Sequence, residues 1–404
     1  MKWLVAGMLA LLVLPALAKE GDTFRPYVSY SYHYDNNLLR QAEDEQAVII
    51  ENGIPVFTSQ RSDTYSVFGV GLDMDWKQGR QQVLASASKN RVRYSSFSNF
   101  DFDGSDYRST WNWRLGNHLS GQLGASQVVS QTSFSDLNQF TKSFVAVNNE
   151  VTTDRFFGSA EWEFHPRWRT GAGLAQSSAE NSHPIQRSQD RDEDSTYAYL
   201  TYITPKGSKL RSELRRIDAR FPNRQLVATS LIDNSYTQDE VNFVGDWSMT
   251  GKLVNHLRVG WVERQHENLS TSDFSGVAGR YSADYFPTGK TAISAAVFRE
   301  PAGVEDANSS FRLNTGINVN AAWLLSDKTT VRAGASYTDS DYDQIVPGSL
   351  KRNDDDLNGS LSVSYSPIPM ATFDAGLQVG RRDSTINSLD YSFRSVFVGA
   401  RLDF

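Results

Sequence analysis

The sequence contains no cysteine, and this absence excludes several kinds of chemistry at once. Without thiols there are no disulfides, no thiolate nucleophile and no cysteine-bound zinc site. After the first residues there is also no run of about 18 apolar residues, the length that a transmembrane helix needs. The mean hydropathy is low, at −0.47. Any membrane-spanning part of this chain is therefore expected to use strands rather than helices.

A strong excess of charge of one sign is absent as well. The formal net charge is −7, which does not indicate nucleic-acid binding. Aromatic residues are abundant instead, with 17 Tyr, 22 Phe and 9 Trp. Such an abundance is typical of membrane barrels, in which aromatic girdles lie at both interfaces.

The N-terminus predicts export. Met1 and Lys2 give a positive start, and an apolar run from Trp3 to Leu14 is followed by the small-x-small sequence Ala16-Leu17-Ala18. This is the pattern of a secretory signal peptide. We expect residues 1–18 to be cleaved and residues 19–404 to form the mature domain. An uncleaved N-terminal anchor is the alternative.

Period-two alternation of apolar and polar residues fills most of the mature sequence and predicts β-strands. About eighteen such segments can be counted. They lie near 24–35, 63–76, 81–94, 104–115, 119–134, 153–164, 168–178, 195–204, 208–219, 236–249, 253–265, 276–286, 290–300, 309–324, 329–340, 354–366, 370–382 and 391–404. The final segment places Val396, Val398, Ala400 and Leu402 on one face and ends at Phe404.

The gaps between these segments are alternately short and long. The short gaps are rich in Gly, Pro, Asn and Asp, and the long gaps, such as Arg40 to Arg61, are polar. Outer-membrane barrels have short periplasmic turns and long extracellular loops. The sequence therefore predicts an all-β fold, a single transmembrane antiparallel up-and-down barrel with both termini in the periplasm. About eighteen strands are expected, and sixteen is the alternative.

The polar face of the segments collects charge. Its candidate lumen-facing residues are Arg108, Arg114, Arg169, Arg211, Arg215, Arg258, Arg264, Arg280, Arg312, Arg332, Glu161, Glu163, Glu213, Glu240, Asp246 and Asp284. Arginines in a pore would attract an anionic solute such as an acidic polysaccharide. Alternatively, facing charges neutralise one another across strand pairs.

Candidate enzymatic and cofactor motifs are weak. His118 and Ser120 have the spacing of a barrel phospholipase but lie at a short turn, and His183 and His266 are isolated histidines near loops. Gly171-Ala172-Gly173 lacks the third glycine of a dinucleotide fingerprint. The acidic runs 190–194 and 354–356 are expected to be solvated loop charge, with calcium binding as the alternative. We predict no enzymatic activity, no cofactor and no resident metal.

A family resemblance adds to this. The opening Tyr30-Ser31-Tyr32-His33-Tyr34-Asp35-Asn36-Asn37-Leu38, the turn Phe286-Pro287-Thr288-Gly289-Lys290 and the closing Phe397 to Phe404 are similar to exosortase-associated extracellular-polysaccharide outer-membrane proteins of the EpsL type. The resemblance implies a barrel that passes a polymer across the outer membrane with exopolysaccharide export components. The closing strand with its terminal Phe404 also resembles the assembly signal that the barrel-assembly machinery uses.

Three functions remain open from the sequence. The first is a pore for exopolysaccharide, and the second is a general or solute-selective diffusion porin. The third is a structural or adhesive barrel that presents its loops. The expected partners are outer-membrane lipid, lipopolysaccharide, the barrel-assembly machinery and, for the first function, export components and polymer. No nucleic acid is expected.

Overall fold

The computed structural model describes residues 23–43, 45–51, 53–134, 145–224, 233–303, 311–343 and 351–404. The predicted signal peptide at 1–18 therefore lies outside the described residues. Among the described residues, no helix is long and apolar enough to cross a membrane. Four short 3₁₀ helices occur in this part of the chain, at Ser98–Phe100, Pro184–Gln189, Ser270–Ser272 and Asn387–Leu389.

Eighteen antiparallel strands form one closed barrel, as the alternation predicts. They are β1 (Phe24–Asp35), β4 (Asp63–Gln78), β5 (Gln81–Tyr94), β6 (Phe102–Leu115), β7 (Leu119–Gln131), β9 (Glu150–His165), β10 (Trp168–Asn181), β11 (Arg191–Ile203), β12 (Lys209–Arg220), β13 (Tyr236–Thr250), β14 (Leu253–His266), β15 (Phe274–Thr288), β16 (Thr291–Gly303), β17 (Phe311–Ser326), β18 (Thr329–Tyr342), β19 (Asn353–Ile368), β20 (Ala371–Ser384) and β21 (Tyr391–Asp403). Three further strands, β2 (Ala47–Glu51), β3 (Ile54–Thr58) and β8 (Val145–Ala146), lie outside the barrel wall in a small sheet of their own.

The barrel closes between its last and first strands. β21 pairs with β1 from Asp403 opposite Tyr27 to Ser395 opposite Asp35, and β1 pairs on its other side with β4. The Phe404 amide donates to the Pro26 carbonyl at 2.8 Å. Closure removes the open edge that would leave backbone groups unpaired in lipid.

The outer face of the wall is apolar and exposed. Leu214, Trp261, Val277 and Leu357 are each more than half exposed, although burial of such side chains normally stabilises a fold. Strand alternation places these residues on one side of the sheet, opposite the polar residues. An exposed apolar surface of this extent matches a lipid-facing band.

The two ends of the barrel differ as the gap lengths predict. Tight turns join strands at one end, and Gly79, Gly116 and Gly207 in these turns have φ of 61°, 59° and 84°. Such positive φ values are readily adopted only by glycine. The described parts of the longer connections lie at the other end, which we call the long-loop end.

The prediction of a polar loop from Arg40 to Arg61 is wrong in one respect. Residues 47–51 and 54–58 pair as the antiparallel strands β2 and β3, and β2 also pairs with β8 in parallel. An Asn-Gly pair between two apolar runs is a strong hairpin pattern, but the surrounding polar residues obscured it. We call this small sheet, together with residues 36–43 and 95–101, the cap.

The cap has its own hydrophobic cluster. The cap contributes Leu38, Leu39, Ala47, Ile49, Phe97, Phe100 and Ala146 to this cluster, and the adjoining Phe134 and Val147 complete it. Tyr65 of β4 and Tyr94 of β5 pack against this cluster from the barrel wall. Apolar burial therefore holds the cap on the wall.

Candidate functional site

The strand register separates the inner face of the wall from the outer face. Directly paired residues in antiparallel strands point to the same side of the sheet. The exposed Trp261 pairs with Val241 and Val277, and the same alternation continues around the barrel. All sixteen candidate lumen-facing residues fall on the opposite side from this apolar set. That they select a solute in an open passage stays a prediction.

Four of the arginines lie in one continuous row of paired residues. The row crosses β10 to β15 and consists of Arg169, Thr201, Arg211, Val244, Arg258 and Arg280. Neighbouring strands are about 4.8 Å apart, so the guanidinium groups lie within one band of the wall. We call this set the arginine row.

Most arginines of this row are neutralised by carboxylates. Arg169 contacts Glu161 at 3.1 Å and Glu163 at 3.0 Å. Arg258 contacts Glu240 at 2.8 Å, and Arg280 contacts Glu300 at 3.0 Å. Elsewhere on the same face, Arg108 pairs with Asp106 at 2.7 Å and Arg215 with Glu213 at 3.1 Å. For these arginines the structure supports mutual neutralisation rather than a free basic surface.

The other candidate arginines bind neutral acceptors. Arg114 donates to the Asn117 carbonyl at 2.9 Å, Arg312 to the Tyr342 hydroxyl at 3.0 Å, and Arg332 to the Ser364 hydroxyl at 2.9 Å.

Arg264 is buried rather than open to a lumen. Its guanidinium lies 4.0 Å from the Tyr236 ring centroid, and its Nε donates to Gln238 at 2.8 Å. It is only 3% exposed, so its role is in packing near the long-loop end.

Asp246 and Asp284 meet at a histidine. His256 Nδ1 lies 2.7 Å from Asp246 and its Nε2 lies 3.4 Å from Asp284. Because the two carboxylates contact opposite ring nitrogens, they do not converge on one point. Within the described ranges, no group of three or more acidic or histidine side chains is arranged to hold a metal ion.

A recurring three-layer stack lines the inner face. In each stack an aromatic ring fills the space that a Cβ would take at a glycine on the next strand, and an arginine lies over the ring. The described stacks are Gly71–Tyr27–Arg401, Gly124–Phe157–Arg155, Gly171–Tyr199–Arg211, Gly173–Tyr197–Arg215, Gly316–Phe298–Arg280 and Gly380–Phe393–Arg40. A guanidinium over an aromatic face is a favourable cation–π contact. The glycines of the Gly171-Ala172-Gly173 motif therefore seat aromatic rings.

A different part of the inner face is neutral. Asn318, Asn320, Ser336, Asn358, Ser360 and Gln378, contributed by β17 to β20, line a recess of about 250 Å³. These amides and hydroxyls offer hydrogen bonds without net charge. The wall is thus divided into a charged sector and an amide-rich sector.

The cap covers inward-facing positions at the long-loop end. Asp63 on β4 accepts hydrogen bonds from the amides of Ser96 at 2.9 Å and Phe97 at 3.0 Å. Asn37 donates to the Ser392 carbonyl of β21 at 2.9 Å. The cap therefore contacts β4, β5 and β21 at the long-loop end, where the inward-facing Tyr65 and Tyr94 pack against its hydrophobic cluster.

The predicted assembly residues lie at the seam. Val396, Val398, Ala400 and Leu402 pair with Tyr34, Tyr32, Tyr30 and Val28, all on the outer face, and Phe404 bonds to the neighbouring backbone. Their recognition by assembly machinery stays a prediction.

The residues of the candidate enzymatic motifs do not come together in one site. His118 lies in the turn before β7, where its carbonyl accepts from the Glu163 amide at 2.8 Å. His183 caps a 3₁₀ helix through its Nδ1, which accepts from the Ile185 amide at 3.3 Å. Partial burial lowers the pKa of His183. The absence of enzymatic activity stays a prediction.

Comparison with known proteins agrees with this architecture. The sequence family described as "Putative beta-barrel porin 2" matches residues 244–404. Among curated proteins, none matches the sequence.

A solved outer-membrane protein of Pseudomonas aeruginosa shares the fold. OccK9 (OpdG) is 11% identical, with 95% of this chain and 99% of that chain covered and a TM-score of 0.50. OpdK, also 11% identical, has the same coverage and a TM-score of 0.49. At this identity the likeness concerns the fold alone. With its closed, outwardly apolar wall of eighteen strands, the chain is a porin-like β-barrel of the outer-membrane type.

Proposed function

We propose that this protein is a passive diffusion channel for small polar solutes. The observation that carries the proposal is the contrast between the two faces of one closed wall, apolar outside and polar inside. Barrels of 16 to 18 strands are wide enough to leave an aqueous channel. Charged pairs such as Arg258 with Glu240 are compatible with a wet interior, whereas in a dry core their desolvation would cost several kcal/mol. The match of residues 244–404 to a porin family also supports this function.

The proposal is tested by permeation into liposomes. The refolded barrel is placed in vesicles loaded with a large polymer, and swelling is followed after addition of arabinose. We expect swelling that falls as the sugar grows from mono- to trisaccharide. Vesicles with heat-unfolded protein are the matched control, and equal swelling rates in both preparations would contradict the proposal.

Passage of an exopolysaccharide is a second candidate. The amide-rich sector of β17 to β20 favours it, because neutral amides and hydroxyls can exchange hydrogen bonds with sugar hydroxyls without binding them tightly. The test is deletion of the gene, followed by quantification of surface polymer. Normal amounts of polymer in the deletion strain would exclude this candidate function. If the liposomes also stayed impermeable, the two results together would favour a structural or adhesive role.

We further propose that the tight turns and both termini face the periplasm. The short turns at one end and the cap at the other support this orientation. On this proposal, lipopolysaccharide surrounds the long-loop end, and the barrel-assembly machinery inserts the chain through its closing strand. A protease added to intact cells should cleave an epitope placed in the cap but spare one placed at Gly251. Cleavage only at Gly251 would show that the orientation is the reverse of the proposed one.

A further inference from the structure

We infer that Arg211 is the binding residue of a lumen subsite for a carboxylate group on the solute. The inference rests on the proposed channel function and specifies which chemical group of the solute is bound at one position of the lumen. Arg211 is the third residue of β12, near the tight-turn end of the barrel, and it lies in the centre of the arginine row. Its side chain is partly exposed on the inner face, so a solute in the lumen could contact it.

The hydrogen bonds of Arg211 leave its outer donors unused. Nε donates to the Thr201 hydroxyl at 3.2 Å, and no other hydrogen bond or ion pair of Arg211 occurs among the described residues. The Nη1 and Nη2 groups are therefore available. A guanidinium edge with two free donors matches the two oxygens of a carboxylate.

The nearby carboxylates are already occupied. Glu161 accepts from Arg169 at 3.1 Å and from the Tyr199 hydroxyl at 2.9 Å. Glu213 accepts from Arg215 at 3.1 Å. Among the described residues these carboxylates contact other donors and none forms an ion pair with Arg211, whereas the other three arginines of its row are paired.

The guanidinium of Arg211 is also held in place. It lies 4.0 Å from the centroid of the Tyr199 ring. The ring is seated at Gly171, where an added Cβ would lie 2.4 Å from the Tyr199 hydroxyl oxygen, and Glu161 accepts from that hydroxyl. Tyr199 is therefore a positioning residue for Arg211. Preorganisation of this kind reduces the entropy lost when a ligand binds.

The ligand class follows from this arrangement. A planar anion that can accept two parallel hydrogen bonds fits the free edge of Arg211 better than a neutral solute does. Small organic carboxylates, including the acid groups of uronic sugars, have this geometry. A lysine at the same position would keep the charge but lose the fork.

The test is equilibrium binding to the folded barrel in detergent micelles, measured by ligand-observed NMR. Galacturonate is compared with its neutral methyl ester. For wild-type protein we expect galacturonate to bind at least about tenfold more tightly than the ester, which corresponds to about 1.4 kcal/mol. Equal binding of the two ligands would overturn the inference without any variant.

Variants then locate the site. Arg211→Lys should weaken galacturonate binding about tenfold, consistent with the loss of a bidentate contact. Arg258→Lys is the matched control, because Arg258 already binds Glu240, and its galacturonate affinity should stay within about twofold of wild type. Tyr199→Leu should give an intermediate loss, whereas Tyr199→Phe, which keeps the ring, should lose less than Tyr199→Leu.

Equal losses in Arg211→Lys and Arg258→Lys would contradict a defined subsite and indicate a general field effect. Micelle binding does not require transport. If galacturonate binds as expected but liposomes stay impermeable, the channel function fails while the subsite stands. If liposomes are permeable but Arg211→Lys binds like wild type, the subsite fails and the channel stands.

Discussion

Asp354 is expected to be the most stability-critical carboxylate at the long-loop end. It is fully buried and accepts hydrogen bonds from Arg352 Nε at 3.0 Å, the Ser384 hydroxyl at 2.7 Å and the Tyr342 hydroxyl at 3.2 Å. Arg382, also nearly buried, lies 3.7 Å from it. Asp354→Ala would remove the carboxylate that pairs with Arg352, whose side chain is 10% exposed, whereas Arg382 would keep its ion pair with Asp356 at 2.9 Å. Removing one partner from a buried ion pair costs about 3–5 kcal/mol.

The measurement is reversible urea unfolding of the barrel in lipid vesicles, followed by tryptophan fluorescence and by the heat-dependent shift on a gel. Asp383→Ala is the control. Asp383 lies on β20, at the same end of the barrel as Asp354, and Asp383 and its partner Arg381 are both more than half exposed. Asp354→Asn, which keeps the shape and one acceptor, should lose about 1–3 kcal/mol. If Asp354→Ala and Asp383→Ala unfold at the same urea concentration, the buried network does not stabilise the barrel as argued.

Three further predictions concern the cap, the ring seats and the outer face. Replacing residues 45–58 by a short Gly-Ser linker removes Ala47 and Ile49 from the cluster that packs on the inward-facing Tyr65 and Tyr94, so single-channel conductance should rise, and an unchanged conductance would show that the passage avoids the cap. Gly171→Ala should destabilise the barrel by about 1–3 kcal/mol in urea unfolding through overpacking against Tyr199. Gly251→Ala, with nothing within 4 Å of its added Cβ, is the control and should be neutral. Val398→Arg on the outer face should cost about 2–4 kcal/mol in lipid vesicles. Ser360→Arg on the inner face should cost much less, and equal costs would mean that the two faces are misassigned.

The strands could be predicted because lipid on one side and polar groups on the other impose a strict period of two. In β17, for example, Ile317 and Val319 alternate with Asn318 and Asn320. The closing contact between Phe404 and Pro26 followed from the need to pair every edge in lipid. Neither inference required knowledge of which residues face one another across two strands.

The inner face could be predicted only as a list of residues. Which arginine meets which carboxylate depends on the register, and the offset between neighbouring strands is not visible in a single sequence. The pairing of Arg258 with Glu240 and the isolation of Arg211 are therefore properties of the three-dimensional arrangement. The seating of Tyr199 at Gly171 depends on register in the same way. The Asn-Gly pattern of the cap hairpin is visible in the sequence, but the polar residues around it predict a loop.

The central claim is that this closed barrel conducts small polar solutes without a partner protein. Its most direct test is single-channel recording in planar lipid bilayers, with protein shown to be folded by its heat-dependent gel shift. We predict stable, stepwise increases in conductance for the wild-type chain and larger steps for the cap-deleted variant. Folded protein that inserts but stays silent in both forms would contradict the account.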